Sequence, residues 1–290
     1  MPVWPNDYIE NVVDDIAKNS KNRKPVKAGL IERCAVRHCS PTSIHPNPND
    51  EFSQPDIGPN LQIVGGYVKE IQYDLSLCLP IFEEPLIVQK LEHDGYLLIN
   101  GHHRWFAALR MKIDKIRIKI VNLIGETDLH RMVKDTQNSR LASFDFDEIL
   151  LSTNENDFAP IVDPLFSRKI KERLRAGAPE VIRAFQNAGY DICVYSSYYF
   201  TEEDFEDFFS MYDLKVNIVV NGINEKRKNT SGDSTQLQDI LRNKYKKIAH
   251  VDNDSIICTD TVAKNYESYE ISDNTKNWQD GITGILETIG

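Results

Sequence analysis

Residues 142–150 of this chain read Ala-Ser-Phe-Asp-Phe-Asp-Glu-Ile-Leu, a short apolar segment interrupted by two aspartates. The pattern predicts a buried strand over residues 142–146, with Asp145 and Asp147 at its carboxyl end. Because the two carboxylates are two residues apart on an extended chain, their side chains point to the same side of it. We therefore expect both carboxylates to face one crevice at the edge of a sheet.

The sequence after residue 141 alternates between apolar runs of strand length and amphipathic runs of helix length. This rhythm predicts an α/β domain, in which helices pack on a parallel sheet. Further strands are predicted at 191–195, 216–220 and 247–251, and helices at 164–175, 179–188, 202–212 and 236–243. Ligands of such sheets bind beyond the carboxyl ends of the strands, so a site is expected there.

Polar residues follow these strands where the expected site would form. Ser196 follows the second strand, Asp252 follows the last one, and Lys226 and Lys228 lie between them. Carboxylate oxygens suit Mg²⁺, and a hydroxyl and a lysine suit a phosphoryl group beside it. One carboxylate can then act as nucleophile and the other as general acid and base. Each residue alone also has a simpler explanation, namely a solvated turn, a helix cap or an exposed surface side chain.

The order of these residues resembles the haloacid-dehalogenase-like (HAD-like) superfamily over residues 142–290. The resemblance implies a Rossmann-like domain with a parallel sheet and little or no cap, acting as a phosphohydrolase through an aspartyl-phosphate. Asp145 would be the nucleophile and Asp147 the general acid and base. The other implied groups are Ser196 and either Lys228 or Lys226 for the phosphoryl group, with Asp145, Asp147 and Asp252 for Mg²⁺.

Two places depart from the pattern of that superfamily. Glu148 and Ile149 stand where its members usually have Gly-Thr, and Asn253 stands where they usually have a second acid. These departures keep open a second hypothesis, in which the HAD-like fold is catalytically silent and serves only as structure.

The first half of the chain contains a second candidate site in residues 99–104, which read Ile-Asn-Gly-His-His-Arg. They lead from a strand predicted at 96–99 into a helix predicted at 103–111. A helix N-terminus offers free N–H groups and a positive dipole end, both of which favour a phosphate, and Arg104 would add a bidentate grip. The alternative is structural: the histidines cap the helix, and Arg104 pairs with Glu83 or Glu84.

Residues 30–121 resemble the ParB/sulfiredoxin-like N-terminal fold. The matching runs are 43–48 (SIHPNP), 84–88 (EPLIV) and 96–104 (YLLINGHHR). The resemblance implies an α+β domain, and around these runs we predict strands at 30–36, 85–89 and 116–121 and a helix in part of 61–73.

The same resemblance implies that Gly101, His102, His103 and Arg104 bind the phosphates of a nucleotide such as ATP, ADP or CTP. Members of the fold include partition proteins that hydrolyse CTP and kinases of free serine. A kinase-like role would use Asp50 or Glu51 as a base. Sulfiredoxin activity is not expected, because its cysteine would fall at His102.

Composition supports a soluble protein of two domains. The chain has 290 residues, 41% of them hydrophobic and 27% charged, and no apolar run approaches the roughly 18 residues of a membrane span. The N-terminus lacks the pattern of a signal peptide and the five cysteines are thinly spread, so we expect a cytoplasmic protein without membrane contact. The net charge of −10 lies entirely in residues 141–290, which disfavours broad binding of nucleic acid there.

These features predict a nucleotide-binding domain over 1–125, a helical linker over 126–141 and a phosphohydrolase domain over 142–290. The leading hypothesis is a phosphate-handling enzyme, with a phosphatase half and a nucleotide-binding half that is kinase-like or a nucleotidase. Its substrate would be a phosphorylated small molecule or a nucleic-acid end. The alternative is a nucleotide-responsive regulatory or DNA-associated protein with a silent HAD-like fold.

Overall fold

The computed structural model describes residues 24–47, 50–53, 57–93, 95–165, 170–197, 200–221, 239–271 and 278–289. The chain divides into two compact units, residues 1–122 and 123–290. Each unit contains one β-sheet with helices packed on it, so the protein is a mixed α/β protein with two sheets. All five cysteines are free. In the described part of the chain, no helix is both long and apolar enough to cross a membrane.

The first unit is built on a five-stranded mixed sheet with the strand order β1-β5-β3-β4-β2. Its strands are β1 (Arg37–Cys39), β2 (Ile44–Pro46), β3 (Leu86–Lys90), β4 (Tyr96–Asn100) and β5 (Ile116–Ile120). Its helices are α1 (Leu30–Arg33), α2 (Leu61–Ser76) and α3 (His102–Arg110). Strand β3 is antiparallel to β4 and parallel to β5, and α2 packs against α3.

One prediction for this unit was wrong. The segment 30–36, predicted as a strand, begins with helix α1, because Gly29 donates its N–H to Glu32 Oε2 (3.0 Å) and thereby caps a helical turn. The predicted strands at 85–89, 96–99 and 116–121 are confirmed as β3, β4 and β5 within one or two residues.

The second unit is built on a six-stranded sheet with the order β11-β10-β9-β6-β7-β8. Its strands are β6 (Arg140–Asp145), β7 (Tyr190–Ser196), β8 (Ile218–Asn221), β9 (Lys247–Val251), β10 (Ser255–Asp260) and β11 (Asn265–Glu270). Strands β9, β6, β7 and β8 are parallel to one another, whereas β10 is antiparallel to both of its neighbours, β9 and β11. The prediction of a parallel sheet therefore holds for four strands and not for the whole sheet.

Helices cover both faces of this sheet. They are α4 (Glu126–Asp135), α5 (Ala178–Asn187), α6 (Glu202–Ser210), a helical stretch at 239–244 and α7 (Trp278–Ile289). Buried side chains alternate along β7: Ile192 and Val194 pack with α5, α6 and α7, whereas Cys193 packs with α4 and the stretch at 239–244. Burial on both faces explains why these strands read as continuous apolar runs.

Two predicted segments take on other roles in the second unit. The segment predicted as a linker, 126–141, supplies α4, whose Leu129, Met132 and Val133 are buried against the sheet. The helix predicted at 164–175 is wrong in its described part. Residues 170–173 are not helical, while Leu174 and Arg175 form β-bridges with Leu151 and Phe158.

Candidate functional site

The carboxyl ends of β6, β7, β8 and β9 meet at one edge of the second sheet, since these strands are parallel neighbours. Asp145 is the last residue of β6, Ser196 the last of β7 and Asn221 the last of β8, while Asp252 directly follows β9. The last registered pair of β6 and β9 is Phe144 with Val251, so Asp145 and Asp252 come one residue later on adjacent strands. The predicted residues Asp145, Ser196 and Asp252 are thus at one sheet edge.

Asp147 is held by the two serines that end and follow β7. Ser196 Oγ donates to its carboxylate at 3.0 and 3.2 Å. Ser197 donates twice to Asp147 Oδ2, through its backbone N–H at 2.6 Å and its hydroxyl at 2.8 Å. Because Ser196 is only 1% exposed, its hydroxyl offers a fixed donor. The second acid of the pair is therefore fixed in orientation by its neighbours.

Asp145 starts a single turn of π-helix, Phe146–Leu150, and accepts the N–H of Glu148 at 2.8 Å. Burial raises the pKa of the Asp145 carboxyl above its ordinary value, and the negative charge of Asp147 raises it further. The N–H of Glu148 and the nearby His250 act in the opposite direction. The negative charges of Asp145 and Asp147 repel each other at the end of β6, so a bound cation would relieve this repulsion.

The donor chemistry here suits Mg²⁺, which prefers carboxylate oxygens and is commonly bound by one or two carboxylates together with water and phosphate. Within the described residues, no group of three or more His, Cys, Asp or Glu side chains is arranged to hold a metal ion. The Asp147 carboxylate is hydrogen-bonded to Ser196 and Ser197. The predicted ligand set of Asp145, Asp147 and Asp252 stays a prediction.

The two predicted lysines, Lys226 and Lys228, lie outside the described residues. Asn221 was not predicted as a site residue, and its side-chain amide donates to the Phe200 carbonyl in the loop after β7. The signal was present in the sequence, because Asn221 directly follows the apolar run 218–220.

The first unit places its candidate site at the junction of β4 and α3. Gly101 has φ +97°, and a Cβ there would lie 2.5 Å from Leu86 Cδ2, so only glycine fits this turn. Helix α3 begins at His102, directly after this glycine. The turn therefore presents the first N–H groups of a nine-residue helix, which is the geometry that binds anions.

His102 is a buried histidine in the first turn of α3. It is 7% exposed, its Nδ1 lies 3.8 Å from Asp50 Oδ2, and its ring lies 5.5 Å from the ring of Phe52. Among the described residues its Nε2 has no hydrogen-bond partner. Burial lowers the pKa of His102, an effect that the Asp50 carboxylate partly offsets and that His103 reinforces. His102 is therefore neutral near pH 7.

His103 and Arg104 both contact neighbouring segments. His103 Nε2 accepts the N–H of Asn60 at 3.1 Å, so a neutral His103 ring carries its proton on Nδ1. Arg104 Nη1 donates to the Glu84 carbonyl at 2.8 Å and lies 3.7 Å from the Glu84 carboxylate. The pairing with Glu84 is the structural alternative stated above. The Glu84 side chain is 86% exposed and the Arg104 side chain 12% exposed, so water screens the ion pair from the Glu84 side.

Residues 82–135 match the family model of the ParB N-terminal domain. This ParB-matched segment contains β3, β4, α3, β5 and α4, and hence the whole turn from Gly101 to Arg104. No curated protein matches the chain. The predicted resemblance to ParB is thus confirmed for this segment, which does not include the acid pair of the second sheet.

The first unit is expected to lose stability on acidification through His102. The folded pKa of His102 lies below the ordinary value of 6.5, so the unfolded chain takes up a proton at higher pH than the folded one. Stability that is fully present above that value is therefore lost as pH falls below it. Thermal unfolding between about pH 7.5 and about pH 5 should show a smaller loss for His102→Gln than for wild type. The exposed His38, as His38→Gln, is the control, and equal losses in all three proteins would contradict the assignment.

Proposed function

We propose that the protein is a phosphate-handling enzyme with a HAD-like phosphohydrolase in its second unit and a nucleotide-binding site in its first. The observation that carries the phosphohydrolase proposal is that Asp145, Asp147 and Ser196 lie together at one sheet edge. Ser196 donates to Asp147 at 3.0 Å. Further support comes from Asp252, which follows the neighbouring strand β9. An acid pair, a buried hydroxyl and a further acid at one edge are the parts that hydrolysis of a phosphomonoester needs.

The proposed reaction has two steps. In the first, a carboxylate oxygen of Asp145 attacks phosphorus, the bond to the leaving oxygen breaks, and protonated Asp147 gives that oxygen its proton. In the second, water attacks the phosphorus of the aspartyl-phosphate, Asp147 takes a proton from the water, and the bond to Asp145 breaks to release inorganic phosphate. Ser196 and Ser197 orient Asp147 for both transfers. Mg²⁺, when bound, supplies positive charge that offsets the negative charge of the carboxylates and the phosphoryl oxygens.

The support for nucleotide binding is the geometry of the turn from Gly101 to Arg104 within the ParB-matched segment. The proposed ligand is ATP, ADP or CTP, whose phosphates would meet the N-terminus of α3 and the guanidinium of Arg104. Asp50 lies beside His102 and is a candidate base for transfer of a phosphoryl group to a small molecule. The proposed substrates are phosphorylated small molecules or nucleic-acid ends.

A second candidate function is a nucleotide-responsive, DNA-associated or regulatory protein with a silent second unit. The family match at residues 82–135 favours it, as do the departures at Glu148 and Asn253. The net charge of −10 argues against broad contact with a phosphate backbone. Retention on DNA that depends on nucleotide, in a protein that releases no phosphate, would favour this candidate.

Phosphate release tests the phosphohydrolase directly. The substrates are an aryl phosphate, a panel of phosphorylated metabolites and 5′- and 3′-phosphorylated oligonucleotides, each with and without Mg²⁺. Release that requires Mg²⁺ supports the proposal and ranks the substrate classes. No release from any of them contradicts it.

Nucleotide binding is expected to weaken about 10- to 100-fold in Arg104→Ala, since a charge-assisted hydrogen bond to phosphate contributes roughly 1.5–3 kcal/mol. Calorimetric titration with ATP, ADP and CTP measures the effect. The matched control is Arg117→Ala, because Arg117 also donates to a carbonyl of the loop before β3, that of Glu83 at 2.7 Å, but lies on β5. Equal affinity of Arg104→Ala and wild type would contradict the proposed site.

A further inference from the structure

Arg175 is a half-buried guanidinium that contacts three segments of the second unit. Its Nη1 lies 2.9 Å from Asn253 Oδ1, in the loop after β9, and 3.4 Å from the carbonyl of Ile149, in the turn after β6. Its Cζ lies 4.3 Å from the centre of the Trp278 ring, at the start of α7. One side chain thus joins the turn that follows Asp145 to the loop that contains Asp252.

Two further contacts fix this arrangement. The backbone N–H of Arg175 donates to the Leu150 carbonyl at 2.8 Å, which ties its main chain to the end of the π-helical turn. Trp278 Nε1 lies 3.4 Å from the Asp252 carbonyl, so the ring that stacks on the guanidinium also reaches the loop of the third acid. The Arg175–Trp278 pair therefore contacts both strand ends from the side of α7.

We propose that Arg175 is a positioning residue that holds the Asp252 loop at a fixed distance from the acid pair Asp145 and Asp147. The role in catalysis rests on the proposed function, whereas the positioning itself does not. A guanidinium is suited to it because its planar fork donates in two directions while its face stacks on an aromatic ring. Lysine keeps the charge and loses the fork, so Arg175→Lys isolates the geometry.

The matched control is Arg183→Lys. Arg183 lies on α5 and donates to the Tyr212 carbonyl at 2.7 Å, so it also makes a guanidinium-to-carbonyl contact in the second unit. Tyr212 lies in the turn between α6 and β8, away from the carboxyl ends of the strands. A second variant, Trp278→Phe, keeps an aromatic ring beside Arg175 and removes the N–H that faces the Asp252 carbonyl.

Hydrogen–deuterium exchange of the full chain is the first measurement. In Arg175→Lys, amides of residues 252–254 should exchange about 10-fold faster than in wild type, with a smaller effect in Trp278→Phe and none in Arg183→Lys. If phosphate release is observed, Arg175→Lys should also raise the Mg²⁺ concentration for half-maximal rate about 10-fold.

The outcomes separate the inference from the proposed function. Unchanged exchange at 252–254 in Arg175→Lys overturns the positioning role, and so does faster exchange spread over the whole unit, which would indicate general loss of stability. Faster exchange confined to 252–254 supports it even if wild type releases no phosphate. The absence of phosphate release would count against the proposed phosphohydrolase and not against the positioning role of Arg175.

Discussion

Asp145→Asn is expected to reduce Mg²⁺-dependent phosphate release at least about 10⁴-fold, because an amide cannot act as the nucleophile on phosphorus. The same substitution should raise the Tm of the second unit by roughly 2–4 °C. The pKa of Asp145 is raised by burial above the ordinary 3.8, so its ionised form costs stability as pH rises above that value, and the variant removes this cost. The asparagine keeps an oxygen that can accept the N–H of Glu148.

The control for this prediction is Asp213→Asn. Asp213 is exposed and lies in the turn between α6 and β8, at the amino end of a parallel strand and so opposite the candidate site. Its φ of +52° suits asparagine, which tolerates the left-handed region better than most residues. Rates and Tm of Asp213→Asn should equal those of wild type. Mg²⁺-dependent release that persists in Asp145→Asn would remove Asp145 from the mechanism.

Phe146→Ala is expected to destabilise the second unit by about 3–5 kcal/mol, the usual cost of removing a buried aromatic side chain. Phe146 lies between the two acids in sequence and is 2% exposed. The centroid of its ring lies 5.1 Å from that of Phe205 and 5.0 Å from that of Phe208. The ring anchors the π-helical turn to α6, so the orientation of Asp145 and Asp147 depends on it. Urea unfolding measures the loss in the free energy of unfolding, provided that its dependence on urea concentration has the same slope in the variant and in wild type.

Phe146→Leu tests whether apolar volume or the aromatic cluster is responsible. Leucine fills most of the space, so this variant should lose less than about 1.5 kcal/mol if volume is what matters. A loss below about 1 kcal/mol in Phe146→Ala would contradict the anchoring role, because a cavity in a packed core costs more than that.

The sequence predicts the parallel strands and helices such as α5 and α6 well, whereas one hairpin of the second sheet was missed and the helix at 164–175 was wrong. Strands predicted at 191–195 and 247–251 are observed as β7 (Tyr190–Ser196) and β9 (Lys247–Val251), since strands buried on both faces are continuous apolar runs. The hairpin of β10 and β11 was missed, because β11 reads Asn-Tyr-Glu-Ser-Tyr-Glu and is almost wholly exposed. The wrong helix at 164–175 has another cause. Leu174 and Arg175 pair with residues far earlier in the chain, which local periodicity does not reveal.

The candidate site follows the same division. Residues that end strands, such as Asp145 and Ser196, were found because strand ends are visible in the sequence. Arg175 was not predicted, since it lies in a non-helical segment. The residues to which it is hydrogen-bonded, Ile149 and Asn253, are 26 and 78 positions away in the sequence. Such contacts depend on tertiary packing that no local pattern encodes.

The hairpin of β10 and β11 also determines how the second sheet ends. Strand β11 is the outermost strand on its side, so one row of its backbone groups faces away from the sheet. Glu267 and Glu270 place negative charge along this edge, and the rest of residues 141–290 is acidic as well. A second copy of the protein that paired through its own β11 would bring like charges close to one another. Exposed sheet edges that carry charge therefore resist self-association. The same acidic residues that disfavour nucleic acid thus protect the protein against aggregation at this exposed strand.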